Sequence, residues 1–139
     1  EMSASLVGSE MCIRDSTYYS EAAHVFYRDG YYYFTWSKND TRSVDYEVRY
    51  VRSKSPVGPI EPSESQVILC KKPDQGIFAT GHHSVMQLPD KDEWRIVYHR
   101  FKFPDAVTMG RKAGFHREVC IDKMEFDEDG KIKRITPTL

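Results

Sequence analysis

SEAAHVFYRDGYYYFTWS, residues 20–37, carries two rows of aromatic and β-branched residues on either side of Asp29-Gly30. Such rows suit the pleated, half-buried surface of a strand. An Asp-Gly pair accepts the positive φ angles that a two-residue type I′ hairpin requires. The stretch therefore reads as an antiparallel pair, residues 22–28 and 31–37, joined by a tight turn. The same grammar continues on both sides of the next loop, with YEVRYVR (46–52) and QVILCK (66–71) as third and fourth strands. The series then restarts with HHSVMQL (82–88), a turn at 89–93, WRIVYHR (94–100), REVCIDKMEF (117–126), a turn at 127–130 and KIKRI (131–135). No segment sustains a 3.6-residue apolar period, so little helix is expected.

Aligning Val25 with Val85, and the 31–36 strand with 94–99, turns the restart into a repeat with an interval of about sixty residues. Two units of four antiparallel strands at a long period point to an all-β fold built of propeller blades. A β-sandwich is the alternative on pattern alone. In an up-and-down blade, the starts of strands 1 and 3 and the 2–3 loop share one face of the disc. Glu21, His82 and the loops 37–45 and 100–116 are thus expected on one face, and the turns at 29–30, 89–93 and 127–130 on the other. The 100–116 loop is longer than a connector needs, which makes the first face the candidate site.

The chain has 139 residues, a net charge of −1, 40% hydrophobic residues and 13% aromatics, with nine tyrosines. The charge balance gives no electrostatic case for nucleic acid or an anionic membrane as partner, and no apolar run approaches the ~18 residues that span a bilayer. Abundant aromatics suit strands and also surfaces that stack on sugar rings. Cys12, Cys70 and Cys120 have neither zinc spacing nor a disulfide framework, and the last two are expected to be buried thiols. Residues 1–16 follow no strand or turn pattern and lack the basic start and apolar core of a signal peptide. The run SLVGSEMCIRDS (5–16) resembles a translated sequencing adapter. Residues 1–16 are accordingly expected to be non-native and unstructured, and the natural polypeptide to continue upstream of Thr17.

Glu21 stands at the mouth of an inner strand among aromatics, where a carboxyl is placed to exchange a proton with a bound molecule. By pattern alone it is equally a solvated residue ahead of a strand. His82 and His83 alternate across their strand, so one faces the central channel and the other packs against a neighbouring blade. His82 is expected in the channel, by analogy with Glu21. A zinc site lacks further ligands at suitable spacing. Asp40, Thr41 and Arg42 lie on the site-face loop, His116 and Arg117 enter the third strand of the second unit, and Trp36 and His99 end the second strands, where they are expected to form part of the floor. An arginine is a rigid donor for hydroxyls and carboxylates.

These residues fall into a pattern that resembles glycoside hydrolase family 43. SEAAHVFYRDGYYYFTWS with SKSPVGP, ATGHHSV with DEWRIVYHR, and HREVCIDKMEF with DGKI match its recurring motifs over essentially all of 17–139. The resemblance implies a five-bladed β-propeller, of which this chain holds about the last two blades, and an inverting glycosidase. Its implied substrates are arabinose- or xylose-containing plant polysaccharides, with α-L-arabinofuranosidase or arabinanase ahead of β-xylosidase. Inversion uses a general acid and a general base roughly 6.5–9.5 Å apart, leaving room for water. By position Glu21 is the acid, His82 the central-channel histidine near a calcium or water, and Arg117 an arginine on the innermost sugar. With Trp36, Asp40, Arg42 and His116 they make up the expected site. No cofactor is required by this chemistry, and calcium enters only through His82, by way of water. The catalytic aspartates are expected in the missing N-terminal blades, not at Asp40 or Asp45, so the fragment alone is expected to be inactive. The parent is expected to be secreted or periplasmic. A non-catalytic propeller that binds carbohydrate or protein is the alternative from another class.

Overall fold

The computed structural model describes residues 18–104 and 108–139. Residues 1–16, set apart by the sequence, lie outside the described residues. Two antiparallel sheets are found among the described residues. The first runs in the order β1 (Glu21–Arg28), β2 (Tyr31–Lys38), β3 (Glu47–Ser53) and β4 (Gln66–Leu69), and the second in the order β5 (Gly81–Gln87), β6 (Trp94–Phe101) and β7 (Arg117–Met124). Each is a meander of neighbours along the chain. No α-helix occurs among the described residues, only short 3-10 turns. Asp29 and Gly30 both take positive φ, +49° and +86°, as a type I′ turn demands.

The second unit holds three strands where four were expected. After the 127–130 turn only Phe126 and Ile132 form a bridge. Lys133 N–H still donates to the Glu125 carbonyl at 2.9 Å, while the N–H groups of Ile132 and Ile135 turn to the first sheet. Ile132 N–H goes to the Tyr50 hydroxyl at 3.1 Å, and Ile135 N–H to the Ile68 carbonyl at 2.7 Å. Thr138 closes the run on Asp122 and on Arg100. The segment thus stitches the second sheet to the first instead of extending it. Its apolar residues, Ile132 and Ile135, are buried between the sheets.

The core lies between the two sheets. Phe26, Tyr33, Val48, Tyr50 and Ile68 of the first meet Val85, Trp94, Ile96, Tyr98 and Met124 of the second, with Phe26 stacked on Tyr33 at 4.8 Å and tilted against Trp94 at 5.1 Å. The far face of the second sheet is open, leaving Val119 and Ile121 74% and 61% exposed. Cys70 and Cys120 are free and half-buried rather than fully buried.

Both inner strands contain the same irregularity. Between Glu21 and His24, and between Gly81 and Ser84, two residues oppose one on the partner strand. The extra residue brings Ala22 and His82 to φ of +59° and +52°. This bulge corrects two expectations. His82 is the counterpart of Ala22, whereas Glu21 pairs in register with Gly81. On the second strands Ser37 opposes Glu21 and His99 opposes Gly81, so the counterpart of His99 is Ser37, one residue beyond Trp36.

The two ends of the sheets sort as expected. At one end the turns are tied together: Arg28 forms a two-pronged ion pair with Asp92 at 2.9 and 2.6 Å, Arg52 donates to the Asp129 carbonyl at 2.7 Å, and the Tyr33 hydroxyl donates to the Gly130 carbonyl. The other end gathers Glu21, the 39–46 loop, His82, His99 and Arg117.

Candidate active site

The 39–46 loop is folded by its own bonds. Asp40 Oδ1 accepts the Arg42 N–H at 2.7 Å, Ser43 N–H donates to the Asp40 carbonyl at 2.8 Å, and Tyr46 N–H to the Ser43 carbonyl at 3.2 Å. This winding delivers Tyr46 inward, where its ring is fully buried against Ala79, Phe101 and Ala113. A Cβ at position 81 would fall inside that ring, so Gly81 makes room for it. The Tyr46 hydroxyl donates to Glu21 Oε1 at 2.6 Å. Burial, then the Glu21 bond, push the phenol well above its ordinary pKa, so it stays a donor.

His82 Nδ1 lies 3.7 Å from the same Oε1, and its side chain is 54% exposed. The backbone N–H of His82 donates to Ser37 Oγ at 2.8 Å, and its ring stacks on His99 at 5.2 Å. His83 turns the other way into the seam between the sheets, against Thr35 of β2. The doublet is therefore divided as expected, by the bulge as well as by strand alternation.

Arg117 is a clamp. Its guanidinium donates to His99 Nδ1 at 2.5 Å, the Thr41 carbonyl at 2.6 Å and the Ala79 carbonyl at 2.6 Å. It thereby joins the 39–46 loop, the strand-to-strand connection and β6. One N–H on each terminal nitrogen has no partner among the described residues. Burial and the neighbouring Arg117 and His82 depress His99 to about 4. A neutral imidazole is what an Nδ1 acceptor requires.

Glu21 also lines an open depression of about 540 Å³ with Ser20, Asn39, Asp40, Thr41 and Arg42. Asp40 and Arg42 are held to each other through two contacts of 2.9 and 2.7 Å, and Arg42 keeps the Asp40 carboxyl far below its usual range. The pair forms one wall of the depression. His116 is exposed and is engaged through its backbone, N–H to Ala113 and carbonyl from Lys102.

Trp36 is not part of the floor. It is fully buried on the opposite face of β2 with Tyr19 and Phe34, and its indole N–H donates to the Tyr18 carbonyl at 2.6 Å. Odd and even residues of β2 point to opposite faces. Ser37 is thus the residue that reaches the site, and Tyr98, equally buried, is the counterpart of Trp36. Sequence reasoning missed Tyr46, Ser37 and Gly81. The one signal for them was the offset between the two repeats, which the bulge displaces by one residue.

The model of the family described as glycosyl hydrolases family 43 matches residues 3–132. The chain belongs to glycosyl hydrolase family 43. That match includes most of residues 1–16 and gives no support for setting them apart as an adapter. Among curated relatives, the β-D-galactofuranosidase xynD of Aspergillus niger is 35% identical over 121 residues, covering 87% of this chain and 33% of that protein. The non-reducing-end α-L-arabinofuranosidase BoGH43B of Bacteroides ovatus is 36% identical over 107 residues, covering 76% and 19%. The chain therefore spans a third or less of the length of these curated relatives.

Solved structures carry the same fold. A glycoside hydrolase superposes with a TM-score of 0.73 at 29% identity over 86% of this chain and 25% of that one. A thermostable family-43 glycoside hydrolase gives 0.69 at 34% over 85% and 35%. At 17% identity, a Cellvibrio cellulosa α-L-arabinanase complexed with arabinohexaose shares the fold, with a TM-score of 0.66 over 84% and 36%. The two sheets are thus part of a family 43 propeller.

Calcium, which the sequence admitted near His82, takes about six to eight oxygen ligands. Among the described residues no three His, Cys, Asp or Glu side chains converge, and His82 Nδ1 faces the Glu21 carboxylate. The described side chains alone do not fit a calcium cage.

Proposed function

We propose that this chain is the acid-bearing part of an inverting family 43 glycosidase, with Glu21 as general acid. The observation that carries the reading is the Glu21 carboxyl: one oxygen is tied to Tyr46 and the group lines an open depression. As the bond from the anomeric carbon to the glycosidic oxygen breaks, that oxygen takes the proton of Glu21. Water forms the new bond to carbon, and its proton passes to a base carboxylate. Asp40 is a poor base because Arg42 occupies both its oxygens, so the base is assigned to the rest of the propeller. The open apolar face of β5–β7 supports further blades packing there.

The substrate class is glycans containing arabinose, xylose or galactofuranose. Terminal α-L-arabinofuranosyl bonds are favoured, consistent with one of the relatives named above. A polymer of this kind is met outside the cytoplasm, which supports a secreted or periplasmic parent. No helix among the described residues is long and apolar enough to cross a membrane.

The test uses the full-length parent with nitrophenyl α-L-arabinofuranoside, β-D-xyloside and β-D-galactofuranoside, the product anomer being read by NMR. Hydrolysis with inversion is expected, and Glu21→Gln should lower kcat by about 10²–10⁴ on substrates whose leaving group needs a proton. Residues 17–139 alone should show no turnover. Full activity of Glu21→Gln on an alkyl glycoside of the preferred sugar, whose leaving group needs a proton, or turnover by the isolated chain, would overturn the reading.

A further inference from the structure

We propose that Tyr46 fixes which oxygen of Glu21 carries the proton, a positioning role that rests on Glu21 being the acid. A carboxyl is useful as an acid only if its proton sits on the oxygen that faces the bond to be broken. In this site the two oxygens are not equivalent. Oε1 accepts the Tyr46 hydroxyl at 2.6 Å and lies 3.7 Å from His82 Nδ1. Oε2 has no protein partner among the described residues, and the carboxyl lines the depression.

Tyr46 gives its hydroxyl proton to Oε1, and Ser37 Oγ accepts the His82 backbone N–H at 2.8 Å, which holds the neighbouring His82 in place. A proton on Oε1 would then face a donor, so the acid proton is kept on Oε2. The phenol cannot swing away. Its ring is fully buried, it lies over the space left by the missing Cβ of Gly81, and it faces His99 at 6.3 Å and the Arg117 guanidinium at 5.7 Å.

The test is Tyr46→Phe in the full-length parent, which keeps the ring and removes only the hydroxyl. Two substrates of the same sugar are compared, an alkyl glycoside whose leaving group needs protonation and a dinitrophenyl glycoside whose leaving group does not. We expect kcat on the alkyl glycoside to fall by about tenfold or more with KM within about twofold, and kcat on the dinitrophenyl glycoside to stay within about twofold. An equal loss on both substrates would assign Tyr46 to the scaffold alone, and no loss on either would remove it from the site. Both results overturn the proposal. Glu21→Ala is run beside it. If Glu21→Ala shows the leaving-group selectivity and Tyr46→Phe does not, only the Tyr46 inference falls. If Glu21→Ala lacks the selectivity too, the assignment of the acid falls with it.

Discussion

Thr35 has one hydroxyl proton, and it goes to the His24 carbonyl at 2.9 Å. The 2.6 Å contact between Thr35 Oγ1 and His83 Nε2 therefore takes its proton from the imidazole. That leaves His83 Nδ1 a bare acceptor, buried and without a hydrogen-bond partner among the described residues. Burial, with His24 and His82 nearby, holds His83 at about 3, and His99 stands at about 4. Both lie below the roughly 6.5 of an unfolded histidine. Between those values the unfolded chain binds protons that the folded chain refuses. Stability is thus fully present above about pH 6.5 and is lost as pH falls toward 4 and then 3. For the buried His83, every tenfold loss of proton affinity on folding corresponds to about 1.4 kcal/mol. The half-buried His99 contributes less, because solvent screens its charge. Urea midpoints at a series of pH values should show this fall, and His83→Leu should flatten it. An unchanged slope in His83→Leu would exclude His83 as a source.

At the scale of elements, the paired bulges place the site. The extra residue at Ala22 turns Glu21 toward Tyr46, and the one at His82 divides the histidine doublet. Ala22 adopts a left-handed φ of +59°, which costs an alanine about 1–2 kcal/mol against a glycine's near indifference. After the added entropy of a glycine in the unfolded chain, Ala22→Gly should gain about 0.5–1 kcal/mol in denaturant unfolding. A loss would mean that the Ala22 methyl contributes more by packing than its backbone angle costs. The strands themselves were legible because aromatic alternation and Asp29-Gly30 act locally. The bulges were not, since an inserted residue leaves composition and spacing almost unchanged. Trp36 was consequently assigned to the site face while Ser37 occupies it. Tyr46 was equally silent, because its role depends on Gly81, a glycine distant in sequence that yields space to its ring. KIKRI has a strand's alternation, and only the Tyr50 hydroxyl and the Ile68 carbonyl, both in the other sheet, drew it off.

For the whole molecule, family membership and the two-faced arrangement of blade ends were readable from the motifs and the repeat, whereas the way one sheet is fastened to the other was not. Each sheet joins neighbours in sequence, so even its longer connections close at modest entropic cost. The union of the sheets depends on long-range contacts, and the 132–138 segment supplies several. In kinetic terms this segment is a seam sewn after both pieces of cloth exist. The Ile135 amide, bonded to Ile68, should exchange with solvent through a smaller opening than the amides of the 31–37 strand, and in pulse-labelled refolding it should be the later of the two to gain protection. Simultaneous protection would mean that the sheets never exist apart. If the seam does close last, the geometry around Glu21, which draws on both sheets, is assembled only at the final step of folding, and a chain halted before it has native strands without a site.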